Sequence, residues 1–374
     1  MITRAGADKL RAMRADEPAV LSVYLNVPLD LAEHRALPAR TRELIKNAAA
    51  GPPDAAAAAI RKADLEAIAR ALANHSQEWL GHTIAIFACA GLGLFETVPL
   101  PGFLPEQAVI ATRPHVRPLL AAIQRNPAYR AALVDSRHAW ILSISDDQIE
   151  TVAERTGEGV PSPGFSGWWG LEAYRVQQRI MMLSKQHFRD TIGILERTAD
   201  GEHRPLVLGG HEPEINQFLG TLPPAVRQDV VGSVHVDLQT ATPGRVRELA
   251  SPVIARWVRR SESQLVEEVH NLPPGAIVTG LAGCLAASRE RAVAQLVLPD
   301  DQLVPGYACD ECGAIGEASG DCDCPAPARP LRGVPDLLEE LAGRTLDEGG
   351  EVTAVHDPPF QAAARLRFAV AGRT

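Results

Sequence analysis

Apolar and polar positions change their spacing along the chain in a way that divides it into three successive α/β segments. In the first, Thr3 to Arg14 repeats its apolar residues at helical spacing, and the run Ala19 to Val27 is apolar and β-branched enough to read as a strand. An alanine-rich stretch from Leu44 to Ala73, broken at Gly51-Pro-Pro53, predicts two helices, and Thr83 to Ala88 returns to strand. This segment closes near Pro105. In the second, Tyr129 to Asp135, Ala139 to Ser145 and Gln148 to Ala153 are strand-like runs separated by short polar turns, which predicts an antiparallel meander. Gly157 to Gly170 is too rich in Gly and Pro for regular structure and predicts a long loop. A helix over about Leu171 to Arg197 follows, then a strand at Pro205 to His211, a helix at Glu212 to Leu219, a strand at Ser233 to Asp237 and a long helix from Thr242 to Glu268.

The third segment predicts a helix at Gly280 to Ser288, a buried strand at Ala294 to Leu298, a helix at Val334 to Arg344, and strands at Glu351 to Val355 and Leu366 to Val370. The resulting expectation is an α/β (α+β) multidomain protein with domains at 1–110, 111–270 and 271–374, the last an α/β sandwich interrupted by a cysteine-bearing insertion at 306–328. A chain of 374 residues is too long for one ordinary core, which agrees with that division.

Composition narrows the class. Apolar residues at 46% and charged residues at 22% suit a folded globular protein. A formal net charge of -9 argues against a chain that coats nucleic acid over its whole surface, so any RNA contact must be local. The N-terminus lacks the continuous apolar core of a signal peptide, and no stretch approaches the roughly 20 apolar residues that span a bilayer. A cytoplasmic protein without a membrane partner is expected.

Four of the six cysteines, Cys309, Cys312, Cys322 and Cys324, fall in two close pairs, which suits metal binding better than a disulfide framework. Four thiolates match the closed tetrahedral coordination of a structural Zn2+ ion and leave no open catalytic position. The second pair is spaced Cys-x-Cys, and the alternative is a reduced loop that keeps its cysteines without metal. Cys89 and Cys284 lie alone in apolar runs and are expected as core thiols.

The loop and the helix behind it form the second constellation. Gly164, Ser166, Gly167 and Gly170 give flexible backbone, Trp168 and Trp169 offer rings for base stacking, and Arg175, Arg179 and Arg189 fall on roughly one side of the helix, with Lys185 nearby. Leu171, Tyr174, Met181, Phe188, Ile192 and Leu195 recur at helical spacing and are expected to face the sheet, with Gln178 and Lys185 interrupting the stripe. An ordinary amphipathic helix with a solvated basic face, pinned by its tryptophans, fits the same residues. Gly209-Gly210 before a helix reads as a tight turn rather than an anion site, since no Lys-Ser/Thr follows. His203, His211, Glu212 and Glu214 read as solvated side chains, and no Gly-x-Ser-x-Gly elbow is present.

In this order the pieces resemble the archaeo-eukaryotic class-one peptide-release-factor family, closest to its bacterial branch, over about residues 128 to 370. The resemblance rests on the meander, the glycine-rich loop, the long basic helix, Leu-Val-Leu-Gly-Gly at 206–210, and a third domain with Gly280-Leu281, the cysteine insertion, Val334 to Leu341, Gly350 to Val355 and Ala364 to Phe368. It implies a release-factor-like middle domain with mixed sheet and long helices, and a ribosomal partner made of rRNA and tRNA. In that family the loop carries Gly-Gly-Gln and positions water against the peptidyl-tRNA ester. Here the stretch is Ser166-Gly-Trp-Trp-Gly-Leu-Glu172, so the tripeptide is missing and Glu172 is the nearest acid, either an acid/base candidate or a helix-start carboxylate stabilised by the dipole. The codon-reading Asn-Ile-Lys-Ser is absent too. The resemblance implies ribosome or tRNA binding in rescue, quality control or hibernation; peptidyl-tRNA hydrolysis or RNA cleavage at the same loop, and a protein-binding scaffold, are the alternatives.

Overall fold

A computed structural model of the protein describes residues 4–17, 19–30, 32–49, 62–74, 79–145, 148–157, 169–198, 203–273, 275–320, 322, 324 and 331–369, with side chains left out for 169–177. By contacts the chain forms two compact units, residues 1–124 with 262–374, and residues 125–261.

In the first unit, β1 (Val20–Val27) lies inside an antiparallel sheet of order β3-β2-β1-β4, with β2 (His82–Cys89), β3 (Leu94–Leu100) and β4 (Gln107–Ala111). Its side chains alternate between two cores, as a strand period of two requires. Val20 and Tyr24 pack with Ala7 and Leu10 of α1 (Arg4–Ala12) and with Leu119 and Ala122 of α4 (Arg117–Arg125). Leu21, Val23, Leu25 and Val27 pack with Leu37 and Ile45 of α2 (Leu37–Ala49) and Ile68 and Leu72 of α3 (Lys62–Ala73). Burial on both faces explains why β1 and β2 read as nearly continuous apolar runs. Residues 111–125, which the sequence places at the head of the middle segment, thus supply part of the first core.

The third segment builds a sheet of order β10-β16-β11-β15, from β10 (Ile277–Thr279), β11 (Val293–Pro299), β15 (Glu351–Val355) and β16 (Ala363–Leu366). The pair β11–β15 is parallel and the others antiparallel. Helices α9 (Leu281–Arg289) and α10 (Leu337–Asp347) bury Leu281, Leu285, Leu337, Leu338 and Leu341 against Leu296, Leu298 and Val352. Between β11 and α10 stands a small sheet of order β13-β12-β14, with β12 (Gly306–Ala308), β13 (Ile315–Gly316) and β14 (Arg332–Val334). The last strand begins earlier than Leu366, because Ala363 and Ala364, weak strand formers alone, are fully buried between β10 and β11. Helix α10 begins at Leu337 rather than Val334, because Val334 is spent in β14 and Asp336 caps the helix by accepting from the Leu338 amide.

The second unit is a mixed sheet of order β7-β6-β5-β8-β9. The meander β5 (Tyr129–Val134), β6 (His138–Ser145) and β7 (Gln148–Thr156) is antiparallel, and β8 (Leu206–Gly210) and β9 (Val230–His235) add in parallel. One face packs on Val246, Ala250, Val253 and Ile254 of α8 (Pro243–Asn271), within which the unit boundary falls. The other packs on Phe188, Ile192 and Leu195 of α5 (Trp169–Arg197) and Phe218 of α6 (Glu212–Thr221), joined by Val226 of α7 (Pro224–Arg227). Among the described residues no helix is long and apolar enough to cross a membrane.

Candidate functional site

Helix α5 is 29 residues long, and its two halves meet different surroundings. In the C-terminal half the buried positions are Ser184, His187, Phe188, Thr191, Ile192 and Leu195, a helical stripe on the sheet. Arg130 on β5 fixes its end: Nη1 donates to the Leu195 carbonyl at 2.9 Å, one of the acceptors that a helix terminus leaves open. The same guanidinium pairs with Asp229 at 3.2 Å. Further toward the N-terminus, Gln178, Arg179, Ile180, Met181 and Met182 are all exposed. Five successive residues at 100° intervals cover every side of a helix, so this part projects beyond the sheet.

That projection corrects one expectation. Met181 was expected to face the sheet and is 47% exposed, because the sheet supports the helix only from about Ser184 onward. Arg179, Lys185 and Arg189 are exposed, while Asp190 is taken up by Arg155 of β7. Gly164, Ser166, Gly167 and Trp168 lie outside the described residues. Trp169, Gly170, Glu172 and Arg175 lie on the backbone of α5, and their side chains are outside the description.

At the root of the loop, the Gly157 amide donates to the Arg137 carbonyl at 2.5 Å, and a Cβ on Gly157 would meet that oxygen at 3.2 Å and His187 Nδ1 at 3.3 Å. Beside it, Asp135 Oδ2 lies 3.0 Å from His138 Nδ1, and Asp135 Oδ1 accepts the amides of Arg137 and His138 at 2.6 Å each. Burial opposes ionisation of Asp135, but these bonds hold it below the usual carboxylate range. His187 is 3% exposed, and burial lowers its pKa against the opposing approach of the His138 backbone. Neither His187 nor Ser184 was found by reading the sequence. Their only signal is helical spacing from Phe188, which polarity masks.

The four cysteines come together. Sγ of Cys309 and Cys324 are 4.0 Å apart, those of Cys312 and Cys322 3.4 Å, and all four lie within 4.8 Å of one another. Zn–S bonds of about 2.3 Å in a tetrahedron need sulfurs roughly 3.8 Å apart, so the set fits a metal ion. The turn after Cys309 is closed by the Gly313 amide donating to the Cys309 carbonyl at 2.9 Å. Amides of Cys312 and Glu311 also point at the Cys309 sulfur and bring its thiol down to about 7, which favours the thiolate a metal needs. Cys322 receives the Cys324 amide, yet its neighbouring thiols outweigh that bond and push it to about 12. Crowded thiols do not all ionise together without a cation. Cys89 and Cys284 are buried core residues.

The weaker candidates resolve as packing. Gly210 has φ +147°, and a Cβ there would lie 2.5 Å from the Val134 carbonyl oxygen, so the glycine serves a tight strand exit. His211 is exposed with its ring 5.0 Å from that of His235, and His203 Nδ1 lies 3.0 Å from Asp229. With Glu212 and Glu214 they form no ligand cluster among the described residues.

A mixed five-stranded sheet carrying a 29-residue helix, and a further α/β sheet interrupted by the four-cysteine segment, make this a mixed α/β multidomain protein. Residues 114–255 match the model of bacterial archaeo-eukaryotic release factor family 10. Over that segment the chain is release-factor-like, of the bacterial branch of the archaeo-eukaryotic family. No curated protein matches the sequence. Solved structures that overlap it include an archaeal translation termination factor aRF1 (16% identity, 98% of this chain and 99% of that one, TM-score 0.27). Pelota of Archaeoglobus fulgidus (16% identity, 78% and 81%, TM-score 0.38) and Dom34 of S. cerevisiae (9% identity, 78% and 80%, TM-score 0.41) also overlap. At such identities and TM-scores they establish an overlap in length and nothing about activity.

Proposed function

We propose that this is a cytoplasmic, release-factor-like translation protein that binds the ribosome or tRNA in rescue, quality control or hibernation, and that it carries a structural zinc ion on Cys309, Cys312, Cys322 and Cys324. The unit of residues 125–261 acts as the arm. The observation that carries this reading is the family match over 114–255, the segment that contains both the loop and the projecting helix. Arg179 on the projecting part of α5 and Arg189 on the solvent side of its supported part give the local cation excess that a chain of net charge -9 needs to approach phosphates. In this reading Arg175 adds to them, Trp168 and Trp169 stack on bases, and Gly164, Ser166, Gly167 and Gly170 allow close backbone approach. The four-thiolate set has no free coordination position, so its chemistry is structural.

A second reading gives the arm hydrolytic chemistry, with Glu172 orienting water. Incubation of the purified protein with ribosomes carrying labelled peptidyl-tRNA separates the readings. Co-sedimentation without peptide release is expected. Release would favour the second reading, and its persistence in Glu172→Ala would remove the carboxylate from it; neither binding nor release would leave a protein-binding scaffold.

A further inference from the structure

The segment Arg113-Pro-His-Val-Arg117 belongs to the first sheet by its backbone and to the third domain by its side chains. On β1, Tyr24 donates its hydroxyl to the His115 carbonyl at 2.6 Å, and the His115 amide donates to Ser22 Oγ at 2.9 Å. From this anchored backbone His115 Nε2 reaches Asp336 Oδ2 at 2.9 Å. Arg117 donates to the same oxygen from Nε at 3.2 Å and Nη2 at 2.8 Å, and also to the carbonyls of Pro299, the last residue of β11, and of Gln302 beyond it. Arg117 and Asp336 are each 2% exposed. Burial opposes ionisation of Asp336, but the bond from His115 and the charge of Arg117 hold its carboxyl below the ordinary range, so the pair is ionic.

Both ends of α4 are then completed by the third domain. At its N-terminus, where four amides have no helical partner, Glu339 accepts the amides of Val116 at 3.0 Å and Arg117 at 2.8 Å. At its C-terminus Gln124 donates to the Val352 carbonyl at 2.7 Å and accepts the Ala354 amide at 2.9 Å, completing the exposed edge of β15 as a strand would. His115, Asp336 and Glu339 stand close enough to suggest a cation site. Their oxygens are already used by Arg117, His115 and amides, including that of Leu338 on Asp336 Oδ1, so the positive charge is supplied by Arg117.

Solvent-exposed ion pairs across the same boundary, such as Arg14 with Asp310, hold little, because water and salt compete. A buried pair differs: removal of either partner strands the other charge without water. We propose that the β11 end, the α10 N-terminus and the β15 edge form a docking surface whose occupant is this chain's own α4. The first and third domains therefore open and fold as one cooperative body, while residues 125–261 open separately.

Hydrogen exchange of the full chain, followed by mass spectrometry, tests this. In Arg117→Met the slow amides of β1 and β2 and those of β11 and β15 should accelerate together, by roughly 100-fold or more, while those of β5 and β8 keep their rates. Acceleration confined to one of the two domains, or equal acceleration in β5 and β8, overturns the proposal. Should Arg117→Met fail to fold, wild-type exchange at rising urea decides: one shared opening curve for the first and third domains supports the proposal, and two separate curves overturn it. Gln124→Ala, a milder cut at the other end of α4, should shift both domains by the same factor.

Discussion

Gly210 illustrates how a single residue is fixed by its surroundings. At φ +147° with the Val134 carbonyl 2.5 Å from where a Cβ would sit, Gly210→Ala is expected to cost about 3 kcal/mol or more, visible as a lowered urea midpoint with unchanged slope. His187 acts through pH. Its folded pKa lies below its unfolded value of about 6.5, so the unfolded chain takes up protons first as pH falls. The stability due to its neutral form is present above that value and is lost as pH drops below about 6.5. Around the imidazole stand Asp135, His138 and Arg155. Replacement by Phe should flatten the decline of the urea midpoint between about pH 7 and 5; an unchanged decline would assign the effect to other groups.

At the scale of the element, α5 is one helix with two roles. Its buried stripe, Ser184 to Leu195, was legible through Phe188, Ile192 and Leu195, whereas Met181 was misassigned to it because periodicity does not tell how far the supporting sheet extends. Charge reversal on α5 tests the arm: Arg179→Glu on the projecting part and Arg189→Glu on the solvent side of the supported part should each weaken ribosome co-sedimentation by on the order of tenfold at low salt and make it less salt-dependent. Unchanged binding in both would remove the helix from the interface. Strand β3 and helix α4 escaped the sequence reading for a related reason: they carry Glu96 and Pro99, and Arg117 and Pro118, at positions whose meaning depends on neighbours far along the chain.

For the whole molecule, the cysteine cluster gives the clearest expectation. Protein purified without chelator should hold one zinc per chain, and its removal should cost amide protection within residues 306–324 while β11 and α10 retain theirs. Metal-free protein with the same protection there would leave the thiols without a structural task. The family match, covering 114–255, spans all five strands of the second unit's sheet and helices α5 to α7.

What the sequence determined by itself was whatever depends on neighbours along the chain. Strand and helix periods, the glycine-rich break after β7, the two cysteine pairs and the order of segments all follow from local spacing, which backbone geometry reads directly. Only the tertiary structure decided the rest. Asp336 and Arg117 are separated by more than two hundred positions, and nothing near either one announces the other. Burial then decides their ionisation, and joins the two ends of the chain through α4, because a charge taken out of water is tolerated only where a distant part of the fold brings its partner.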